Sequence, residues 1–276
     1  MTDGRSGSPA SAAIVYLGQA EQNRRKAVKV IRASLFYLFA CFATLVLAGG
    51  CVLTWPILSR PVRYRMFGQR YGRWLVRALD ILCGVRYEVI GEQNIPADAA
   101  RILVLSKHQS AWETLFLPAF LPRPMSFVYK QSLHWLPLLG WSLKSLHMVA
   151  VDRKRGASAF VNFLKRGKQA VDRGWWIMLF PEGTRVAPGK RIRYKTGGAR
   201  FALACGCDVL PVALNSGHCW GRNQFVKNPG KITVSFGPVI KSEGKSAHQL
   251  NDEIENWIEG ELARIEGREA ERVEGH

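Results

Sequence analysis

RILVLSKHQSAWETLFLPAF, residues 101–120, sets a short apolar run against a helix-like stretch across a polar bridge. Residues 101–106 have the length and Leu/Ile/Val content of a buried strand, and 113–120 continue as a helix. The same alternation recurs along the chain. VRYEVI at 85–90, MSFVY at 125–129, HMVAV at 147–151, WWIMLF at 175–180, DVLPVA at 208–213 and KITVSF at 231–236 read as further strands. Helices are expected over 156–172, 196–205 and 247–266, where Leu250, Ile254, Trp257, Ile258, Leu262 and Ile265 share one apolar face. Strands alternating with helices predict an α/β domain with a largely parallel sheet flanked by helices, over residues 84–266.

In such sheets sites form where strands end and helices begin. His108 falls at that point, with a carboxylate, Glu113, five positions on. The spacing alone is weak evidence. With 6 histidines and 21 acids it is expected about half a time by chance, and it occurs again at His147/Asp152 and His248/Glu253. His147 starts a strand and His248 sits on the polar side of the last helix, so only His108 has the right setting. FPEGTR at 180–185 follows another apolar run, so two polar motifs occupy the same kind of junction.

Upstream, residues 33–59 carry no charge, and 27 residues of helix reach ~40 Å, enough for a tilted bilayer span. Arg24, Arg25, Lys26, Lys29 and Arg32 precede the run, and Arg60, Arg63, Arg65, Arg70, Arg73 and Arg77 follow it. Bases on both sides give no orientation by the positive-inside rule. Gly49, Gly50 and Pro56 leave a re-entrant hairpin open beside a full span. Beyond it Tyr64, Phe67, Tyr71, Trp74, Ala78 and Leu82 recur at helical spacing. Such a stripe would lie on anionic lipid, and it fits equally a buried amphipathic helix with a solvated basic face. The expected organisation is a disordered 1–20, a membrane-anchoring helical segment 21–83, the α/β domain, and a charged tail 267–276.

The net charge is +18, from 39 bases and 21 acids. Residues 243–276 hold 10 of the acids and only four bases, which leaves +24 on the first 242 residues. A body this basic suits an anionic membrane or acidic substrate. A nucleic-acid partner is disfavoured by the attached apolar run. Cys41, Cys51, Cys83, Cys205, Cys207 and Cys219 have no metal-ligand spacing and read as free thiols in a reducing cytoplasm, with no metal site.

With these blocks in view, the sequence resembles the 1-acylglycerol-3-phosphate acyltransferase family. That pattern is a histidine, four residues and an aspartate, then a block containing DR, then FPEGTR, then an apolar block with a proline. Here the positions are His108 to Glu113, Asp152 with Arg153, residues 180–185, and Pro211, and the likeness covers about 85–240. Glutamate stands where the family usually has aspartate.

The resemblance implies acyl transfer from acyl-CoA or acyl carrier protein to the free hydroxyl of lysophosphatidate, giving phosphatidate, at the cytoplasmic face of the inner membrane. No cofactor beyond the thioester co-substrate is expected. His108 would be the base and Glu113 its orienter; Arg185 would hold the acceptor phosphate, with Thr184, Gly183, Arg153 and Lys130 assisting and Glu182 ordering the loop. Physical chemistry agrees with these roles. An imidazole titrates near working pH, and a carboxylate on its other nitrogen fixes the tautomer. The acceptor hydroxyl attacks the thioester itself, so Ser110 need not be a nucleophile. Rival readings are a related enzyme with another acceptor, such as glycerol 3-phosphate, another lysophospholipid or a lyso-aminolipid, and a non-catalytic lipid-binding protein.

Overall fold

The strands fall where the apolar runs predict. β1 is Val85–Ile90, β2 Ile102–Ser106, β3 Met125–Lys130, β4 Val149–Val151, β5 Trp176–Leu179, β6 Asp208–Leu214 and β7 Gly230–Phe236. This computed structural model describes residues 9–151 and 156–267. The strands form one seven-stranded sheet in the order β1-β7-β6-β2-β5-β3-β4. β2 lies at its centre, with Leu103 opposite both Ile177 of β5 and Val209 of β6. All five β2 residues are buried, as a strand covered on both faces must be. The sheet is largely parallel; β7 alone runs antiparallel to its β6 neighbour while pairing in parallel with β1.

Helices α7 (Gly156–Val171), α8 (Gly197–Cys205) and α9 (Ala247–Ile265) form one layer over the sheet. α4 (Gln69–Cys83) and α5 (Trp112–Phe120) pack against each other in another. They approach closely at Gly72, where a Cβ would stand 2.4 Å from the Leu115 carbonyl oxygen. α9 begins with a capping box, Ser246 Oγ accepting from Gln249 N and Gln249 Oε1 from Ser246 N.

The N-terminal segment is a helical hairpin. α1 (Pro9–Ala43) continues through a wider turn at Thr44–Ala48 into α2 (Gly49–Leu53), and the chain then turns back. The return arm is α3 (Arg60–Arg63), a wide turn at Tyr64–Gly68, and α4. α1 begins at Pro9, inside the stretch expected to be disordered; residues 1–8 lie outside the described residues. Gly49 and Gly50 do not break the first arm. Gly50 lets the arms touch, since a Cβ there would meet the Phe67 ring at 2.7 Å. Pro56 lies in the reversing turn. Short α6 (Leu139–Ser145) packs under α2.

The aromatic stripe is the inner face of the return arm. Tyr64 is buried and donates to the Pro118 carbonyl at 3.0 Å. The Tyr71 and Thr44 hydroxyls lie 3.0 Å apart, and Ala78 is buried. The lipid-facing reading of that stripe therefore fails, because α1 and α5 already cover most of it. Exposed apolar side chains on the first arm and the turn include Leu38, Phe42, Leu45, Leu53 and Ile57, and on the return arm Trp74 and Ile81 are exposed as well. Among the described residues one helix, Gly18–Leu53, is long and apolar enough to cross a membrane.

Candidate active site

Five of the strands point the same way, and their carboxyl ends carry the polar motifs. His108 and Glu113 follow β2, FPEGTR follows β5, Lys130 ends β3 and Ser216 follows β6. His108 Nδ1 lies 2.9 Å from Glu113 Oε1. That oxygen also accepts from Gln109 N and Ser110 N, each at 2.8 Å. The second carboxylate oxygen accepts from Ser110 Oγ at 2.6 Å and Ser216 Oγ at 2.8 Å. Glutamate at the family's aspartate position thus reaches the imidazole while standing in the first turn of α5, where a negative charge is favoured. Burial opposes its charge, but the His108 hydrogen bond and charge, with the Ser110 donors, outweigh it and hold Glu113 below the usual carboxylate range.

The carboxylate draws the proton to Nδ1, which leaves Nε2 as the basic atom. The Phe180 ring stacks on the imidazole at 3.8 Å and 12° and fixes its plane. Beside it opens a largely apolar cavity of about 380 Å³. Leu47, Ala48 and Cys51 of the first arm, Tyr64 and Phe67 of the return arm, and Leu143 and Leu146 near α6 wall it. His108, Arg185 and Lys130 line the same cavity, so two cations and one imidazole face an apolar chamber.

FPEGTR is a turn with Gly183 at φ +68°. Gly183 N donates to the Phe180 carbonyl at 3.0 Å, and a Cβ at Gly183 would crowd Lys195 Nζ at 3.2 Å. Thr184 and Arg185 are half-buried at its end. Glu182 is buried beneath the turn, its Oε2 accepting the His108 amide at 2.7 Å. Burial, opposed by Lys107, pushes its carboxyl up to about 7. Pro211 lies in β6; its carbonyl accepts Gly237 N at 3.0 Å on the β7 side, so its missing donor costs the β2 ladder nothing. Asp152 and Arg153 lie outside the described residues. His147 precedes β4, at the other edge of the sheet, and His248 is exposed on α9.

Sequence reasoning missed Lys107, Ser216, Phe180 and Glu259. Lys107 did leave a signal, a cation between the end of an apolar run and His108. Ser216 left none, 103 residues from its partner. Among the described residues no group of His, Cys, Asp and Glu could hold a metal ion.

Comparison with known proteins bears on the same stretch. A family model described as Acyltransferase matches residues 86–215. A 1-acyl-sn-glycerol-3-phosphate acyltransferase of Pseudomonas aeruginosa is 36% identical over 86% of this chain and 93% of its own length. One of Limnanthes alba is 26% identical over 82% and 80%. The crystal structure of the 1-acyl-sn-glycerophosphate (LPA) acyltransferase PlsC from Thermotoga maritima superposes with a TM-score of 0.76 at 22% identity, covering 90% of this chain and 100% of that one, and establishes the shared fold. This chain belongs to the 1-acyl-sn-glycerol-3-phosphate acyltransferase family.

Proposed function

We propose that this protein acylates lysophosphatidate to phosphatidate at a membrane surface, with an acyl thioester as donor and His108 as the base. The observation that carries this reading is the His108–Glu113 pair at one end of an apolar chamber that Arg185 and Lys130 also line. The acyl chain of the thioester fills the chamber. Arg185, with Lys130, pairs with the acceptor phosphate, and Thr184 and Gly183 shape the turn that presents the guanidinium. Arg153 is assigned to the same anion by family resemblance alone.

In the reaction His108 Nε2 takes the proton from the acceptor hydroxyl as its oxygen attacks the thioester carbonyl. A C–O bond forms. The imidazolium, stabilised by Glu113, returns the proton to sulfur as the C–S bond breaks, and the free thiol leaves. Both acyl-CoA and acyl carrier protein are anionic and suit a chain of net charge +18. The apolar arm and the basic residues flanking it support association with an anionic membrane, and the anionic thioester donors suit its cytoplasmic face.

The test is acyl transfer by purified protein to lysophosphatidate, glycerol 3-phosphate, a lysophospholipid and a lyso-aminolipid, before and after Arg185→Ala. Loss of a charged phosphate contact is expected to cost ~10- to 150-fold in kcat/KM for lysophosphatidate and little for an acceptor without a phosphomonoester. Wild-type preference for the lyso-aminolipid would reject the acceptor and leave the chemistry standing.

A further inference from the structure

Lys107 precedes the base and is fully buried, which for an ammonium group requires compensation. Two elements far apart in sequence supply it. Glu182 Oε1 stands 2.7 Å from Lys107 Nζ, and Glu259 Oε1, from α9, stands 2.6 Å away. Each carboxylate makes a further contact. Glu182 Oε2 holds the His108 amide at 2.7 Å, and Glu259 Oε1 accepts from the Tyr194 hydroxyl at 2.7 Å. The Tyr194 amide donates to Glu255 Oε2, also on α9, at 3.0 Å. A continuous path of charged contacts thus runs from α9 through Lys107 and Glu182 to the main chain of the base. α9 lies beyond residues 86–215, where the family match ends.

We propose that Lys107 and Glu259 are positioning residues for acyl transfer. Held by Lys107, the Glu182 carboxylate fastens the FPEGTR turn to the His108 amide and so fixes the separation between imidazole and Arg185. A thioester carbonyl, an acceptor hydroxyl and an acceptor phosphate must all fit between those two groups, and a displacement of about 1 Å costs ~100-fold in rate. The inference rests on the assignment of His108 as base and Arg185 as phosphate ligand. Neither Lys107 nor Glu259 touches substrate.

Lys107→Met alone strands two buried carboxylates and is expected to fold poorly. Lys107→Met/Glu259→Gln removes one charge of each sign and leaves Glu182 able to carry a proton. The experiment measures thermal unfolding and initial rates of the full-length double variant over a range of lysophosphatidate at saturating acyl-CoA, with Glu253→Gln as a surface control. Expected are an unfolding midpoint close to wild type, kcat lower by ~10-fold or more, and acceptor KM higher by ~5-fold. A structural role alone reduces the amount of folded enzyme and leaves KM unmoved. Wild-type KM with kcat within about two-fold per folded molecule would overturn the proposal. If the double variant does not fold, Glu259→Gln decides by the same measurement, since it leaves Lys107 and Glu182 as a neutral pair: raised KM is expected, and unchanged KM and kcat overturn it. Wild-type enzyme that uses a different acceptor rejects the substrate assignment only, and the variant-to-wild-type ratios on that acceptor still decide the role of Lys107.

Discussion

Glu113 accepts from five donors, and three of them, Gln109 N, Ser110 N and Ser110 Oγ, come from its own turn. The other two, His108 and Ser216, each take one of its two oxygens at the reach of a glutamate side chain. An aspartate one methylene shorter cannot keep all five without moving the start of α5. Glu113→Asp is therefore expected to lose ~10-fold or more in kcat, despite being the family's usual residue. Glu113→Gln should lose ~10³- to 10⁴-fold, because an amide neither fixes the tautomer nor stabilises the imidazolium. Wild-type rates in Glu113→Gln would remove the residue from the chemistry. Glu182 gives a prediction in pH. Its ordinary value of 4.5 rises to about 7 in the fold, by burial first, with Lys107 opposing and Glu259 reinforcing. Between those values the folded chain keeps a proton that the unfolded chain has lost. Stability from this group is whole below about 4.5 and falls as pH rises to 7, by up to ~3 kcal/mol. Glu182→Gln should flatten that part of the unfolding-midpoint profile; parallel profiles for the two proteins would contradict it. The His108–Glu113 pair was legible because both members sit on one strand-to-helix junction. Ser216 and Glu259 were not, since contacts over 103 and 152 residues obey no sequence period.

The elements themselves were readable from period and length, because runs such as ILVLS are too apolar and too short for anything but a central strand. The reversed direction of β7 is explained by what lies before it. Between Leu214 and Gly230 the chain has only a three-residue helical turn, Ser216–His218, and no crossover helix to carry it back for a parallel pairing with β6. Lipid contact was misplaced for a similar reason: a helical stripe reports that one face is covered, and not by what. The first arm answers that here, since Phe36, Ala43, Leu47 and Cys51 are buried inward while Leu38 and Phe42 stay exposed. Ala48 lines the same cavity as His108, so on the proposed function its side chain limits how much of an acyl chain fits. Ala48→Phe should move donor preference toward shorter thioesters while leaving transfer from a short-chain donor near wild type. The check is kcat/KM across a chain-length series. An unchanged profile would mean that the chain lies elsewhere.

At the scale of the whole molecule, the proposed function gives the hairpin two jobs that a double substitution can separate. Leu38 and Phe42 are exposed and do not line the chamber. Replacing both with glutamate adds two like charges to an apolar face and should weaken sedimentation with anionic vesicles at least ~10-fold. Transfer to a short-chain, water-soluble acceptor should persist. Full vesicle binding in that variant would show that the arm is not what the enzyme leans on. Residues 24–32 carry Arg24, Arg25, Lys26, Lys29 and Arg32 immediately before the apolar arm, so charge and apolar area act side by side.

On the proposed function, one wall of the reaction chamber is the anchoring arm itself, so the catalytic volume and the membrane share a boundary. For such an enzyme concentration is counted per unit area: diluting the acceptor with inert lipid slows it, whereas adding buffer at constant lipid composition does not.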